Sequence, residues 1–173
     1  MPPESPQSNY GMARECLLSK IPAPSENIFR VHAEEKDAAV AAREYEEQIQ
    51  KYFRLAPGQV PVFDLITLGM GPEGHTASLF PGSAAIKETK RLVVSNWVEK
   101  LHTDRITFTF PVINHAACVL FLVAGKEKAP AVRQVFEGPS EDVPASLVHP
   151  QNGRLIWMLE GVAAAELPSS IAS

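Results

Sequence analysis

Cysteine is scarce in this chain: Cys16 and Cys118 are the only two among 173 residues. They lie in a helical and a strand pattern with no Cys-x-x-Cys spacing. A disulfide framework and a cysteine metal site are therefore excluded, and both read as reduced thiols in or near the core. Long apolar runs are missing too, and none reaches the roughly 18 residues needed to cross a bilayer. The opening MPPESPQSNYGMARE has neither a basic stretch before an apolar one nor an arginine-rich amphipathic pattern, so nothing directs export and a cytoplasmic protein is expected. Sixteen basic residues stand against twenty acidic ones, for a net charge of -4, and the positives are scattered. Without a basic stripe there is no electrostatic footprint for nucleic acid. Asn-x-Ser/Thr sequons, internal repeats and low-complexity tracts are also absent.

What remains is an ordinary globular composition, 45% apolar and 21% charged. A chain of this length buries about two-thirds of its unfolded surface, which predicts one domain over residues 1–173. Ser8 is placed to cap a helix in which Tyr10, Ala13, Leu17 and Met12, Cys16 recur, with Pro22 and Pro24 as its stop. Ile28 to Val31 alternates like a short strand. Lys36 to Leu55 reads as a long helix with Ala39, Val40, Tyr45, Ile49, Tyr52 and Phe53 inward, and with Arg43, Glu44, Glu46, Glu47 and Lys51 on a solvated face. Val62 to Leu68 and Ala117 to Ala124 are the near-continuous apolar runs of strands covered on both faces of a parallel sheet. Arg91 to Trp97, Arg105 to Phe110 and Leu155 to Leu159 complete the strands. A helix after Gly125 runs to about Glu137 with Pro130 in its first turn, and short helical turns are predicted at Pro144 to Val148 and Val162 to Glu166. Helices and strands alternate throughout. The expected class is α/β, a mostly parallel sheet with helices on both faces.

One stretch carries chemistry. LGMGPEGHTASLFPG, Leu68 to Gly82, follows the apolar strand and presents three glycines and a histidine. Gly69, Gly71 and Gly74 spell GxGxxG, but a dinucleotide site needs a helix entered directly from the loop and an acidic residue about twenty positions on. Here Pro72 stiffens the turn and Phe80-Pro81-Gly82 interrupts any helix. The other reading is that glycines let backbone and His75 approach an oxygen-rich substrate. An imidazole near its ordinary pKa accepts protons well at neutral pH, and Glu73 is placed to hold its tautomer. A purely structural role, in which His75 caps a helical turn over Thr76 to Leu79, stands beside it. His32, His102, His115 and His149 have no partner at metal-ligand spacing, and no metal site is expected.

PESPQSNYGMARE, DLITLGMGPEGHTASLFPG, DRITFTFPVIN, VLFLVAGKEKA and LIWMLE together resemble the 6-phosphogluconolactonase family over essentially the whole chain. That family is kin to the glucosamine-6-phosphate deaminases and isomerases, whose loop also holds Asp-Gly-His but continues with an apolar-Asn-Glu-Pro sequence. The resemblance implies a Rossmann-like fold. It also implies hydrolysis of 6-phosphoglucono-1,5-lactone to 6-phosphogluconate in the oxidative pentose phosphate pathway, with no metal or organic cofactor and a sugar phosphate lactone as the sole partner of an expected monomer. His75 matches the family histidine and would be the general base. Glu73 stands where the family more often has Asp. Gly71 and Gly74 would offer backbone N–H groups to the substrate and its oxyanion. Lys128 matches the lysine of the family's Gly-x-x-Lys-Ala pattern and would bind the phosphate. Arg105, before the Thr-rich strand, would contact phosphate or sugar, while Lys126 reads as a surface cation.

The resemblance also shows a departure. Family members carry, before the Ser-Asn-Tyr helix, a first strand, a Gly-Gly-Ser-Thr-Pro phosphate loop and an Asp-Glu-Arg motif, and Met1 stands just after where that motif would lie. Ser5-Pro6 and Pro81-Gly82-Ser83 do not replace the phosphate loop. A chain shortened in this way is expected to expose an apolar strand edge that could aggregate or recruit another chain. Two further readings follow: a sugar-phosphate deaminase or isomerase, and a truncated, inactive sugar-phosphate-binding protein.

Overall fold

Ser8 caps the first helix as its position predicts. In the computed structural model, which describes residues 2–6 and 8–168, its Oγ accepts the Gly11 N–H at 3.0 Å and α1 spans Asn9–Cys16. The helix ends well before Pro22, and none of its residues is buried. Met12 and Leu17 face solvent because no element among the described residues covers this side of α1, and the Cys16 thiol is exposed rather than near the core. Cys118 is buried as expected. Ile28 to Val31 forms no strand, since alternation supplies no ladder without a neighbouring strand to pair with.

The second helix, α2, spans Ala38–Phe53 and starts at Asp37, whose carboxylate accepts the N–H groups of Ala39 and Val40. It ends at Arg54, which turns left-handed with φ 53°. Ala41, Ala42 and Ile49 are buried along its inner face, whereas Tyr52 stands in solvent. Glu46 corrects the expected solvated face: it is buried, pairs with the Arg91 guanidinium and accepts the Leu92 N–H at 2.6 Å. A buried carboxylate survives because these donors replace its water.

Three strands form the parallel sheet: β1 (Ile66–Leu68), β4 (Cys118–Val123) and β5 (Arg154–Leu159), in the order β1-β4-β5. Leu68 lies opposite Phe121, and Phe121 opposite Trp157. β1 is shorter than the apolar run and, among the described residues, is an edge strand paired with β4 alone. The other two strands, β2 (Val93–Val98) and β3 (Thr103–Phe108), form a separate antiparallel hairpin. Its tip is a single 3-10 turn, Glu99–Leu101. α2 packs across this hairpin, with the Tyr45 and Phe108 rings stacked at 6.1 Å and Phe63 bridging Phe108 and Phe53. α3 (Phe110–Ile113) follows β3. α4 (Ala129–Glu137) follows a short 3-10 turn after β4, and Pro130 falls in its first turn, where its missing N–H costs nothing.

The core lies between these layers. Leu79, Val112, Ile113, Val119, Phe121 and Val132 are fully buried, each contributing about 1.5–3 kcal/mol through lost apolar surface. One sheet face packs under α4: Phe121 stacks on Trp157 at 3.9 Å, and Phe136 of α4 sits 5.7 Å from the same indole. Side chains alternate along strands, so Leu122, Ile156 and Met158 point to the opposite face, where all three are exposed. The α/β class and the parallel sheet thus match the pattern in the sequence, whereas the expected cover on both faces is incomplete, because among the described residues nothing shields Leu122, Ile156 and Met158 from solvent.

Candidate active site

β1 and β4 are parallel neighbours, so the chain leaves both at the same, carboxyl, end of the sheet. From β1 it enters the glycine loop, and from β4 it enters the turn Lys126–Lys128 that leads into α4. Ligands of open parallel sheets bind at this end of the strands.

The loop folds on itself. The Gly71 N–H donates to the His75 carbonyl at 2.9 Å, and the Gly74 N–H to the Gly71 carbonyl at 3.0 Å. Thr76 is fully buried and its hydroxyl donates to the Gly69 carbonyl at 2.9 Å. No helical turn follows. Ala77 is left-handed with φ 49°, and Thr76 and Leu79 instead face each other across a bridge, so His75 has no helix to cap. The hairpin braces what comes next. The Ser78 N–H donates to Thr107 Oγ1, and Asn96 Nδ2 donates to the Ser78 carbonyl at 2.8 Å.

This geometry corrects the expected role of the two glycines. Their N–H groups are consumed inside the loop and are not turned to a substrate oxygen. Their contribution is steric. A Cβ on Gly71 would fall inside the His75 ring and against the Glu73 carboxylate, and one on Gly74, where φ is +80°, would strike Val143.

The His75 ring lies flat against Phe80, with centroids 4.0 Å apart, and turns Nδ1 toward Glu73 Oε2 at 3.2 Å. Both atoms are buried and neither has a well-aligned hydrogen bond, so each compensates the other. A carboxylate beside Nδ1 favours the proton there and leaves Nε2 as the bare acceptor. The ring keeps about a quarter of its surface exposed although Nδ1 is occluded, so Nε2 is the nitrogen that water can reach. Burial pushes the His75 pKa below its ordinary value of 6.5; Glu73 opposes this, while Lys100 and Arg105 add to it. For Glu73, burial acts upward, but backbone hydrogen bonding, Lys100 and His75 outweigh it and hold the carboxyl below its usual range. At neutral pH the pair is therefore neutral imidazole beside ionised carboxylate.

Arg105, on β3, acts on His75 electrostatically, and its side chain makes no hydrogen bond or ion pair among the described residues. It lines a cavity of about 590 Å³ with Asn9, Tyr10, Arg30, Lys36 and Ser78. Arg30 is spent on Glu34, at 2.7 and 2.9 Å. Lys128 sits at the start of α4, half-buried, and its ammonium also has no partner among the described residues. The Gly125 N–H before it is taken by Glu160 at 2.9 Å. The fold thus gathers Glu73, His75 and Gly71 into one cluster, sets Arg105 within electrostatic reach of it, and brings Lys128 to the same end of the sheet, with no direct contact between Lys128 and that cluster among the described residues. Sequence reasoning missed Lys100, whose Nζ lies 3.1 Å from Glu73 Oε1, because it stands 27 positions away on a hairpin tip with no local signal. The Phe80 platform was open to notice, being in the same loop. Among the described residues no group of His, Cys, Asp and Glu could hold a metal ion, and no helix is long and apolar enough to cross a membrane.

The model of the glucosamine-6-phosphate isomerases/6-phosphogluconolactonase family matches residues 1–157. The 6-phosphogluconolactonase of the cyanobacterium Nostoc is 43% identical over 167 residues, which cover 95% of this chain and 68% of the relative. The human 6-phosphogluconolactonase is 36% identical over 166 residues, covering 95% of this chain and 63% of the relative. In structure, 6-phosphogluconolactonase from Trypanosoma cruzi superposes with a TM-score of 0.83 at 30% identity, over 96% of this chain and 69% of that one. The chain thus spans about two-thirds of the length of the relatives it matches.

Proposed function

The chain belongs to the glucosamine-6-phosphate isomerase/6-phosphogluconolactonase family, and from that membership we propose that it hydrolyses 6-phosphoglucono-1,5-lactone to 6-phosphogluconate. The observation that carries the proposal is the His75 imidazole, fixed by Glu73 at Nδ1 and open at Nε2, at the carboxyl end of the parallel sheet. In this reading Nε2 removes a proton from water as the water oxygen attacks the lactone carbonyl carbon. The carbonyl electrons move to oxygen, and Arg105, whose charge acts on His75, is a cation to receive that charge. When the oxyanion collapses, the bond from carbonyl carbon to ring oxygen breaks. The imidazolium returns its proton to the departing ring oxygen, and the product is an open-chain hydroxy acid. Every atom is accounted for by water, substrate and one imidazole. A dianionic phosphate needs a cation and N–H donors, and Lys128 at the head of α4 supplies the cation.

The proposal treats residues 1–173 as one domain, acting as a monomer in the cytoplasm. Its test is acid release from the lactone above the uncatalysed rate, for the parent chain and for His75→Ala. Loss of the catalysed rate in the variant is the expected result. Equal rates in the two proteins would remove His75 from the mechanism. Ammonia release from glucosamine 6-phosphate would assign the chain to the deaminase branch instead.

A further inference from the structure

We infer that Lys100, at the tip of the β2–β3 hairpin, is a positioning residue for the His75 base and acts through Glu73. The inference rests on the reading of His75 as the base. The Glu73 carboxylate is held at both oxygens: Oε1 lies 3.1 Å from Lys100 Nζ and Oε2 lies 3.2 Å from His75 Nδ1. It is therefore a bridge between two elements far apart in sequence. A Glu side chain has three rotatable bonds, and one contact to an imidazole leaves the carboxylate free to swing. The second contact, from a different element, removes that freedom.

The hairpin tip is built to deliver the ammonium. The 3-10 turn Glu99–Leu101 closes on His102, which is left-handed with φ 46° and donates its N–H to the Glu99 carbonyl at 3.1 Å. The other acid at the tip is occupied: Glu99 accepts the Trp97 indole N–H at 2.7 Å and lies 4.0 Å from His102 Nδ1. Lys100 is thereby left to Glu73. Its side chain is 68% exposed, so the ion pair adds little to stability, as is general for exposed pairs. The value of the contact lies in geometry. The charged groups facing His75 are Glu73 from its own loop, Lys100 from the hairpin tip and Arg105 from β3. Of these, Lys100 alone reaches the ring by way of the carboxylate.

The test compares the parent chain with Lys100→Met and Lys100→Arg, reading the His75 ring by nitrogen NMR at neutral pH and the lactone kinetics in parallel. In the parent the proton is expected on Nδ1. Lys100→Met is expected to shift His75 toward the Nε2–H form that free imidazole side chains prefer. It should also lower kcat by about tenfold, a part of the 10²–10⁴ that a positioned base supplies, with KM changed less than about twofold. Lys100→Arg restores both. An unchanged tautomer in Lys100→Met overturns the inference, whatever the rate does, and so does failure of arginine to rescue. If the parent chain turns over no lactone, the proposed reaction fails, yet the NMR comparison still decides whether Lys100 positions the ring.

Discussion

The His75 imidazole occupies the space that a side chain on Gly71 would fill. Loop closure depends on the same residue, because the Gly71 N–H donates to the His75 carbonyl. Gly71→Ala places a methyl group against the far end of a side chain, not against backbone, so the ring moves and the fold stays. The expected outcome is a loss of kcat of at least about tenfold, with the unfolding midpoint in urea close to that of the parent. An active Gly71→Ala protein would show that the ring position seen here is not the working one.

The acid side of the rate profile should report His75. A protonated imidazole accepts nothing, so kcat/KM falls as pH drops through the pKa of the free enzyme's His75. Burial holds that pKa below 6.5, and the midpoint of the limb is expected on the acid side of that value. Glu73→Gln removes the neighbour that raises it, so the limb moves further toward acid while the plateau falls by about tenfold. A shift to higher pH in Glu73→Gln would contradict the arrangement. The same sign appears in stability. Between the lowered folded pKa and 6.5 the unfolded chain binds the extra proton, so the His75 contribution to stability rises with pH across that window.

Much of this was legible in the sequence where the cause is local. Ser8 caps a helix because its side-chain oxygen reaches an N–H group three residues on, and the apolar runs become parallel strands because both their faces were coded apolar. The turn of the glycine loop was legible for the same reason. What pattern could not supply was contact across distance. Nothing near Glu46 says that Arg91 and Leu92, some 45 residues away, will bury it, and nothing near Glu73 says that Lys100 will hold it. Ile28 to Val31 shows the converse, an alternating segment left without a partner strand. The free N–H groups expected of Gly71 and Gly74 failed because a tight loop satisfies its own backbone first.

Glu46 yields a stability prediction of its own. Glu46→Ala removes two charge-assisted hydrogen bonds, to the Arg91 guanidinium and to the Leu92 N–H, and leaves the latter buried without a partner. Hydrogen bonds to charged groups contribute about 1.5–3 kcal/mol each, and because Arg91 can turn to water the expected loss is about 2–3 kcal/mol. Arg91→Ala should cost less, since Leu92 keeps its acceptor. Urea unfolding of the two variants checks the order, and equal losses would mean that the ion pair, not the Leu92 bond, holds Glu46 in place.

The open face of the parallel sheet makes the last prediction. Leu122 and Met158 lie opposite each other on β4 and β5, with Ile156 beside them, and they are 52%, 58% and 40% exposed. Adjacent exposed apolar side chains on a sheet form a patch that binds apolar dyes and other apolar surfaces. The chain should therefore raise the fluorescence of anilinonaphthalene sulfonate at neutral pH without denaturant, and should associate as its concentration rises. Leu122→Lys with Met158→Lys places two charges on that face without touching Phe121 or Trp157, whose rings stack on the other side. Dye binding and association should both fall in the double variant, while the unfolding midpoint changes little, because side chains this exposed contribute little burial to lose. Undiminished dye binding would place the apolar surface elsewhere, with the uncovered face of α1 around Met12 and Leu17 the next to test in the same way.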